Sequence, residues 1–267
     1  MESDEKSPQN SPERMLAILD LFEGQAMEWT MEDMAGRLGY TRSTLYRYLK
    51  SLTEAGLLSS LPGIGYTLGP RIVELDFAMR SRDPLIVAGR PIMAELVREH
   101  AGVALLCRRY RERVLCVHQE QNAPGFVSTY ERGRARPLLR GAASRVILAH
   151  MPASAIKRVL DAQEPRELGA AGLGQNAEEA RLRLRAIRQR GWDVTSGDVT
   201  PGVTGIAAPV FDQNRQVLGS LSLTMGGRMG DEKAAQLAAK ITFCANVLSR
   251  AASRADSFGE ERDGAAV

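Results

Sequence analysis

From residue 30 onward, apolar positions recur at helical spacing, stop at a glycine, resume at helical spacing and then give way to short β-type runs. Thr30 precedes Met31, Met34, Ala35 and Leu38. That spacing predicts a helix over 31–38, with Thr30 as cap, Asp33 closing a capping box and Gly39 as the stop. Thr41 caps a second helix in which Leu45, Leu49 and Leu52 stand at i, i+4 and i+7, with Tyr48 at the stripe's edge and Gly56 as the stop. Residues 57–60 read as a strand, Pro62 to Gly65 as a turn and 66–68 as the returning strand. Upstream, Met15, Leu19 and Phe22 give a first helix its buried stripe. Three helices and a glycine-tipped ribbon, in that order, make a winged helix-turn-helix.

The polar side of the second helix carries the candidate chemistry. Ser43, Tyr46, Arg47 and Lys50 lie opposite the leucines, Arg42 and Thr44 sit in the first turn, and no acid follows until Glu54. Such a face suits a DNA major groove: the first turn reaches base edges while cations hold phosphates. The candidate DNA contacts are therefore Arg42, Ser43, Thr44, Tyr46, Arg47 and Lys50, with Gly63 and Gly65 in the wing beside the backbone or minor groove. Helix pairs of this length are common in all-helical proteins. The conjunction of cap, turn glycine, cationic face and wing is what separates this one from them.

Past the wing, the pattern predicts a linker helix over 71–81 opened by Pro70, then a helix over 85–100. Strands follow at 103–108, 113–119 and 126–130, and helices at 142–150 and 152–162. A Gly- and Ala-rich loop spans 161–175, and Asn176 caps a helix that Gly191 closes. Strands at 192–195, 203–211 and 217–225 precede a last helix capped by Asp231. Without regular βαβ alternation, this order predicts an α+β domain with a mixed or antiparallel sheet. The expected division is a winged helix-turn-helix at 12–70, a linker helix at 71–82, a sensor domain at 83–255 and an unstructured tail at 256–267.

Composition narrows the function. The 267 residues suit two cores, and the net charge of +3 invites a nucleic-acid reading that its distribution refuses. Residues 1–80 hold 8 Lys and Arg against 12 Asp and Glu, a balance of −4 that leaves +7 on the remainder. The case for DNA rests on one helix face rather than on overall charge. The stretch 108–145 holds 9 arginines against 3 acids; it reads as a solvated surface, with anion or protein attraction as the alternative. No apolar run reaches the ~18 residues of a membrane span and the first dozen residues lack a signal-peptide core, so a cytoplasmic protein is expected. Cys107, Cys116 and Cys244 show no CxxC spacing, and buried cysteine is ordinarily a small hydrophobe. His100, His118 and His150 lie on different elements without metal-ligand spacing. Neither catalysis nor a metal or other cofactor is expected. An enzyme with an accessory winged helix and a ligand-independent architectural DNA binder are the competing readings.

In the second domain, small residues at 141–144 open a helix whose N-terminal amides attract carboxylates. The strand Leu221-Ser222-Leu223-Thr224 turns both hydroxyls to one side. Arg145 and Asp198 are further candidates, although a helical Arg or loop Asp is ordinarily solvated or in a surface pair.

The whole chain resembles the IclR family of bacterial transcription regulators. The matching residues are Arg14 to Leu19, Leu38 to Arg47, Gly65 to Gly69, and Gly202-Val203 with Ala207 to Asp212. The resemblance implies an N-terminal winged helix, a GAF-like effector-binding domain, and homodimers or homotetramers on palindromic double-stranded DNA operators. It places Ala142, Ala143, Gly205, Ser222 and Thr224 around the effector pocket, and implies an aromatic or short aliphatic acid as effector. The chain departs from the family at Gly141-Ala142-Ala143-Ser144-Arg145, where members usually carry Thr or Ser, Ala, any residue, Gly and Lys.

Overall fold

The computed structural model describes residues 10–24, 26–122 and 132–263, with side chains to 253. The chain forms two compact units, the first ending at Ser81 and the second starting at Arg82.

In the first unit, α1 (Ser11–Asp20) is opened by a capping box of Asn10 and Glu13, and a 3-10 turn (Leu21–Glu23) follows. Ile18 is the α1 residue that becomes fully buried, whereas Met15, Leu19 and Phe22 pack around it half-buried. The helix α2 (Met31–Leu38) ends at Gly39, whose φ of 67° is the left-handed stop the sequence predicts. Its start departs from a true capping box: the Asp33 carboxylate accepts the Thr30 hydroxyl at 2.6 Å, while Thr30 Oγ1 accepts the Asp33 N–H. Thr41 caps α3 (Arg42–Glu54) through the Thr44 N–H. Leu45, Leu49 and Leu52 are buried with Met34, Tyr40, Tyr48 and Leu58.

The wing is β1 (Leu58–Leu61) paired antiparallel with β2 (Gly65–Leu68). Gly65 opens the second strand rather than closing the turn. Its φ is 129°, and a Cβ there would lie 2.5 Å from the Trp29 carbonyl oxygen. Trp29 and Tyr66 form a two-way bridge at that point, ticking the wing to the segment before α2 by bonds of 3.0 and 2.8 Å. The linker helix α4 (Arg71–Arg82) has no buried residue, and Val73, Leu75, Phe77 and Met79 are exposed on it.

The second unit is a three-layer α+β domain. Among the described residues its six-stranded sheet runs β5-β4-β3-β8-β7-β6, with every neighbouring pair antiparallel. The strands are β3 (Val103–Tyr110), β4 (Arg113–Gln121), β5 (Ala135–Pro137), β6 (Asp193–Ser196), β7 (Val203–Phe211) and β8 (Val217–Gly226). Strand alternation divides the domain into two cores. Ala104, Leu106, Ile206, Ala208, Leu221 and Leu223 face α5 (Pro84–Glu99) and α10 (Asp231–Asp263). Val103, Leu105, Cys107, Cys116 and Ala207 face the other layer, formed by α6 (Ala142–His150), α7 (Ala153–Asp161), α8 (Pro165–Ala170) and α9 (Ala177–Arg190).

Several expectations change. The loop expected at 161–175 contains α8, which Pro165 and a Glu164–Glu167 capping box nucleate within an otherwise Gly- and Ala-rich run. The edge strand β5 is missed because three residues carry no alternation, and its Pro137 is tolerated at an edge. The strand expected at 126–130 lies outside the described residues. Asp231 is the first residue of α10 rather than its cap; the Gly230 carbonyl closes the first turn by accepting the Ala234 N–H. That helix continues to Asp263, past the start of the expected tail at 256, because no proline interrupts 231–263.

Candidate functional site

The first site is the outer face of α3. Arg42, Ser43, Tyr46, Arg47 and Lys50 are exposed and Thr44 is half-exposed, while Tyr48 turns inward to share a hydrogen bond with Ser11 at 2.9 Å. The cations are not all equivalent. Arg42 pairs with Glu32 at 2.8 Å and Lys50 lies 3.8 Å from Glu54; Arg47 leans over the Tyr48 ring at 5.5 Å. Exposed pairs of this kind contribute only about 0–1 kcal/mol, so exchanging a carboxylate for a phosphate at Arg42 costs little. Gly63 stands at the wing tip with open space around it, whereas Gly65 is occupied by the Trp29 backbone. Its missing side chain serves the fold of the wing.

The second site is a cavity between the N-terminus of α6 and the sheet. It takes in about 410 Å³ of atom-free space, a figure that includes its open mouth. Strand register builds its floor. Val103, Thr224, Gly205 and Thr195 lie side by side across β3, β8, β7 and β6, and Leu105, Ser222, Ala207 and Asp193 form the next row on the same face. Gly141, Ala142 and Ala143 form one wall; Asp198, Val199 and Thr200 form another.

Three bonds fix the first turns of α6 on this floor. Ala142 N–H donates to Thr195 Oγ1 at 3.2 Å, Ser220 Oγ donates to the Ala143 carbonyl at 3.0 Å, and Arg145 Nε donates to Asp193 Oδ2 at 2.7 Å. The Ser144 and Arg145 amides return to the Gly141 carbonyl. Ala143, in the same first turn, also lines the cavity. On the floor, Ser222 is 2% exposed and its hydroxyl has no hydrogen-bond partner among the described residues. Thr224 is already engaged, donating to the Val103 carbonyl at 3.2 Å.

Of the seven residues the sequence nominates, six line this cavity: Ala142, Ala143, Asp198, Gly205, Ser222 and Thr224. Arg145 does not line it. Its guanidinium is held behind the helix start by Asp193, by the Ala171 carbonyl at 2.9 Å and by Asp198 at 3.4 Å. Neither Arg145 nor Asp198 is in the surface pair expected by default, since their side chains are 11% and 20% exposed. Burial holds the Asp198 carboxyl above its ordinary value; Arg145 opposes that shift and Asp193 adds to it. Thr195 was missed: a period-two pattern puts it beside Asp193 on one face, but only strand register shows that this face meets α6.

Cys107 and Cys116 are direct cross-strand partners, both fully buried. Hydrogen bonding to Cys116 and burial push the Cys107 thiol well above its ordinary value, which makes it a poor nucleophile. Among the described residues, no cluster of His, Cys, Asp and Glu is placed to hold a metal ion, and no helix is long and apolar enough to cross a membrane.

A winged helix-turn-helix followed by a three-layer domain with a small-molecule cavity defines a DNA-binding transcriptional regulator, and comparison with known proteins specifies which kind. The IclR helix-turn-helix domain matches residues 11–62, and the family described as bacterial transcriptional regulator IclR C-terminal matches residues 77–250. The chain belongs to the IclR family. It is 26% identical over 240 residues to the HTH-type transcriptional regulator KipR of Bacillus subtilis, covering 89% of this chain and 94% of KipR. It is also 26% identical over 243 residues to the HTH-type transcriptional regulator XynR of Escherichia coli, covering 90% and 96%. The fold is shared with an IclR homolog from Microbacterium hydrocarbonoxydans solved in complex with 4-hydroxybenzoate, at a TM-score of 0.76 and 20% identity, covering 91% of this chain and all of that one.

Proposed function

We propose that this transcriptional regulator reads a palindromic operator as a homodimer or homotetramer and that a small carboxylic acid in the α6 cavity controls it. The observation that carries the ligand half is Ser222. A buried hydroxyl without a protein partner costs about 1–3 kcal/mol, and this one lies at the floor of a cavity beside an open helix N-terminus. A carboxylate there accepts from Ser222 Oγ and the Ala143 N–H, and it meets the positive end of the α6 dipole. The Microbacterium homolog was solved with 4-hydroxybenzoate, itself a carboxylic acid.

On the DNA side, Arg47 with Ser43 and Thr44 of the first turn of α3 faces base edges while Arg42 and Lys50 hold phosphates. The exposed apolar residues of α4, with Val73 and Phe77 70% and 74% exposed, support pairing of two chains, as a palindromic site requires. In this reading α4, which links the two units in sequence, transmits the effector-bound state to the spacing of paired reading heads; half-site spacing is fixed by the DNA helix, so small shifts alter affinity. The test combines thermal shift with an acid panel and operator titration with and without the acid that stabilises. Stabilisation by a carboxylate, lost in Ser222→Ala, is the expected result. If an acid saturates the protein yet changes neither operator affinity, nor the bound geometry, nor polymerase engagement, the control mechanism is wrong.

A further inference from the structure

The cavity holds an acceptor as well as donors, and that acceptor is poorly satisfied. A carboxylate offers two oxygens and about four acceptor positions. Among the described residues, the Asp198 carboxylate receives one hydrogen-bond contact, from Arg145 at 3.4 Å, at the long limit for such a bond. Arg145 spends its shorter bonds on Asp193, which Arg190 shares at 3.0 Å, and on the Ala171 carbonyl, so its pairing with Asp198 is a longer charge contact that leaves acceptor positions on that carboxylate unfilled by the described donors. Arg140 grips the backbone oxygen of Asp198 at 2.6 Å, not the carboxylate. The segment around Asp198 is pinned at both ends, by Gly197 N–H on the Val203 carbonyl at 2.9 Å and Gly227 N–H on the Gly202 carbonyl at 2.7 Å. Asp198 is thus a fixed, four-fifths buried carboxylate in the wall of a cavity whose floor presents the Ser222 hydroxyl, unpartnered among the described residues.

We propose that Asp198 makes this cavity selective for carboxylic acids that also carry a hydrogen-bond donor, a hydroxyl or an amino group, placed to reach it. The proposal rests on the reading of the cavity as an acid site and adds the second functional group of the ligand. When an acid closes the cavity, water around Asp198 is displaced. A ligand donor replaces that water with a charge-assisted bond; a plain acid leaves the carboxylate's acceptor positions unfilled, and a diacid sets a second anion against it. A bond to a charged group of this kind gives about ten- to a hundredfold selectivity.

Isothermal titration of the full-length protein with propionate, 3-hydroxypropionate, β-alanine and malonate, and with benzoate, 4-hydroxybenzoate, 4-aminobenzoate and terephthalate, tests this directly. The expected result is that, within at least one scaffold, a donor-bearing acid binds at least about tenfold tighter than its parent and the diacid is weakest. Asp198→Asn flattens that preference and admits the diacid; Asp198→Ser serves as the second variant, with the melting temperature of each free protein checking that it folds. Equal binding of parent and donor-bearing acids, or an unchanged preference in both variants, overturns this inference while leaving the acid site standing. Failure of every acid to bind at saturating millimolar concentration overturns both.

Discussion

Replacing Ser222 by alanine is expected to stabilise the empty protein while weakening its response to ligand. Ordinary reasoning about a buried serine gives the opposite sign for stability, because removing a bonded hydroxyl costs energy. Here the residue is 2% exposed and its hydroxyl has no hydrogen-bond partner among the described residues, so the free protein carries a desolvation penalty of about 1–3 kcal/mol without return. Neighbouring Ser220 and Thr224 bond to the Ala143 and Val103 carbonyls and stay in place. A net gain of about 1 kcal/mol raises the melting temperature of a domain this size by roughly 2–4 °C. The same change removes a donor to the effector's carboxylate, a loss of about 1.5–3 kcal/mol or roughly ten- to a hundredfold in affinity. Differential scanning calorimetry with and without a stabilising acid measures both effects on one sample. A lower melting temperature with unchanged acid affinity would show that the hydroxyl serves the fold, and the reading of the cavity would fall.

Three further outcomes follow from the geometry. Arg47→Ala should cost about 1–3 kcal/mol of operator affinity and relax sequence preference, whereas Lys50→Ala weakens all DNA alike and lowers the salt slope by about 1; acid-induced stabilisation stays intact in both, and its parallel loss would contradict the division of labour. Gly65→Ala forces a Cβ to within 2.5 Å of the Trp29 carbonyl at a φ of 129°, so urea unfolding should show the first unit destabilised by at least ~1–3 kcal/mol, and an unchanged midpoint would refute that packing. Burial holds the His150 imidazole below its ordinary value of 6.5, so the native state binds fewer protons than the unfolded one. The stability it carries is present above pH 6.5 and is lost as pH falls through 6.5 toward the lower native value; His150→Phe should flatten that slope, and an identical slope in the variant would remove His150 as its source.

The winged helix is legible in the sequence because its signals are local. Thr30 and Thr41 cap, Gly39 stops, and Leu45, Leu49 and Leu52 mark a single buried stripe, so three turns of chain carry their own instructions. The cavity is legible only in part. Alternation places Ser222 and Thr224 on one face and says nothing of which hydroxyl will be spent on the backbone; that depends on pairing between residues 121 positions apart, Thr224 with Val103. Arg145 misleads for the same reason. Its place next to a small-residue helix start suggests a ligand contact, but its length and the β6 register carry the guanidinium back to Asp193. Thr195 and α8 escape notice because one is defined by register and the other by a single capped turn inside a glycine-rich run.

The central claim is that one chain couples an acid-filled cavity to a DNA-reading helix. Fluorescence anisotropy of a labelled operator, selected from random sequence by the protein itself, tests it most directly when titrated with protein in the presence and absence of the acid that raises its melting temperature. The account predicts a two-fold symmetric binding sequence, weakened and less selective binding in Arg47→Ala, and an acid-dependent shift in affinity or complex geometry that Ser222→Ala moves to higher acid concentration. Absence of any sequence preference, or a sequence-specific complex whose affinity, geometry and engagement of polymerase are all indifferent to the saturating acid, would contradict it.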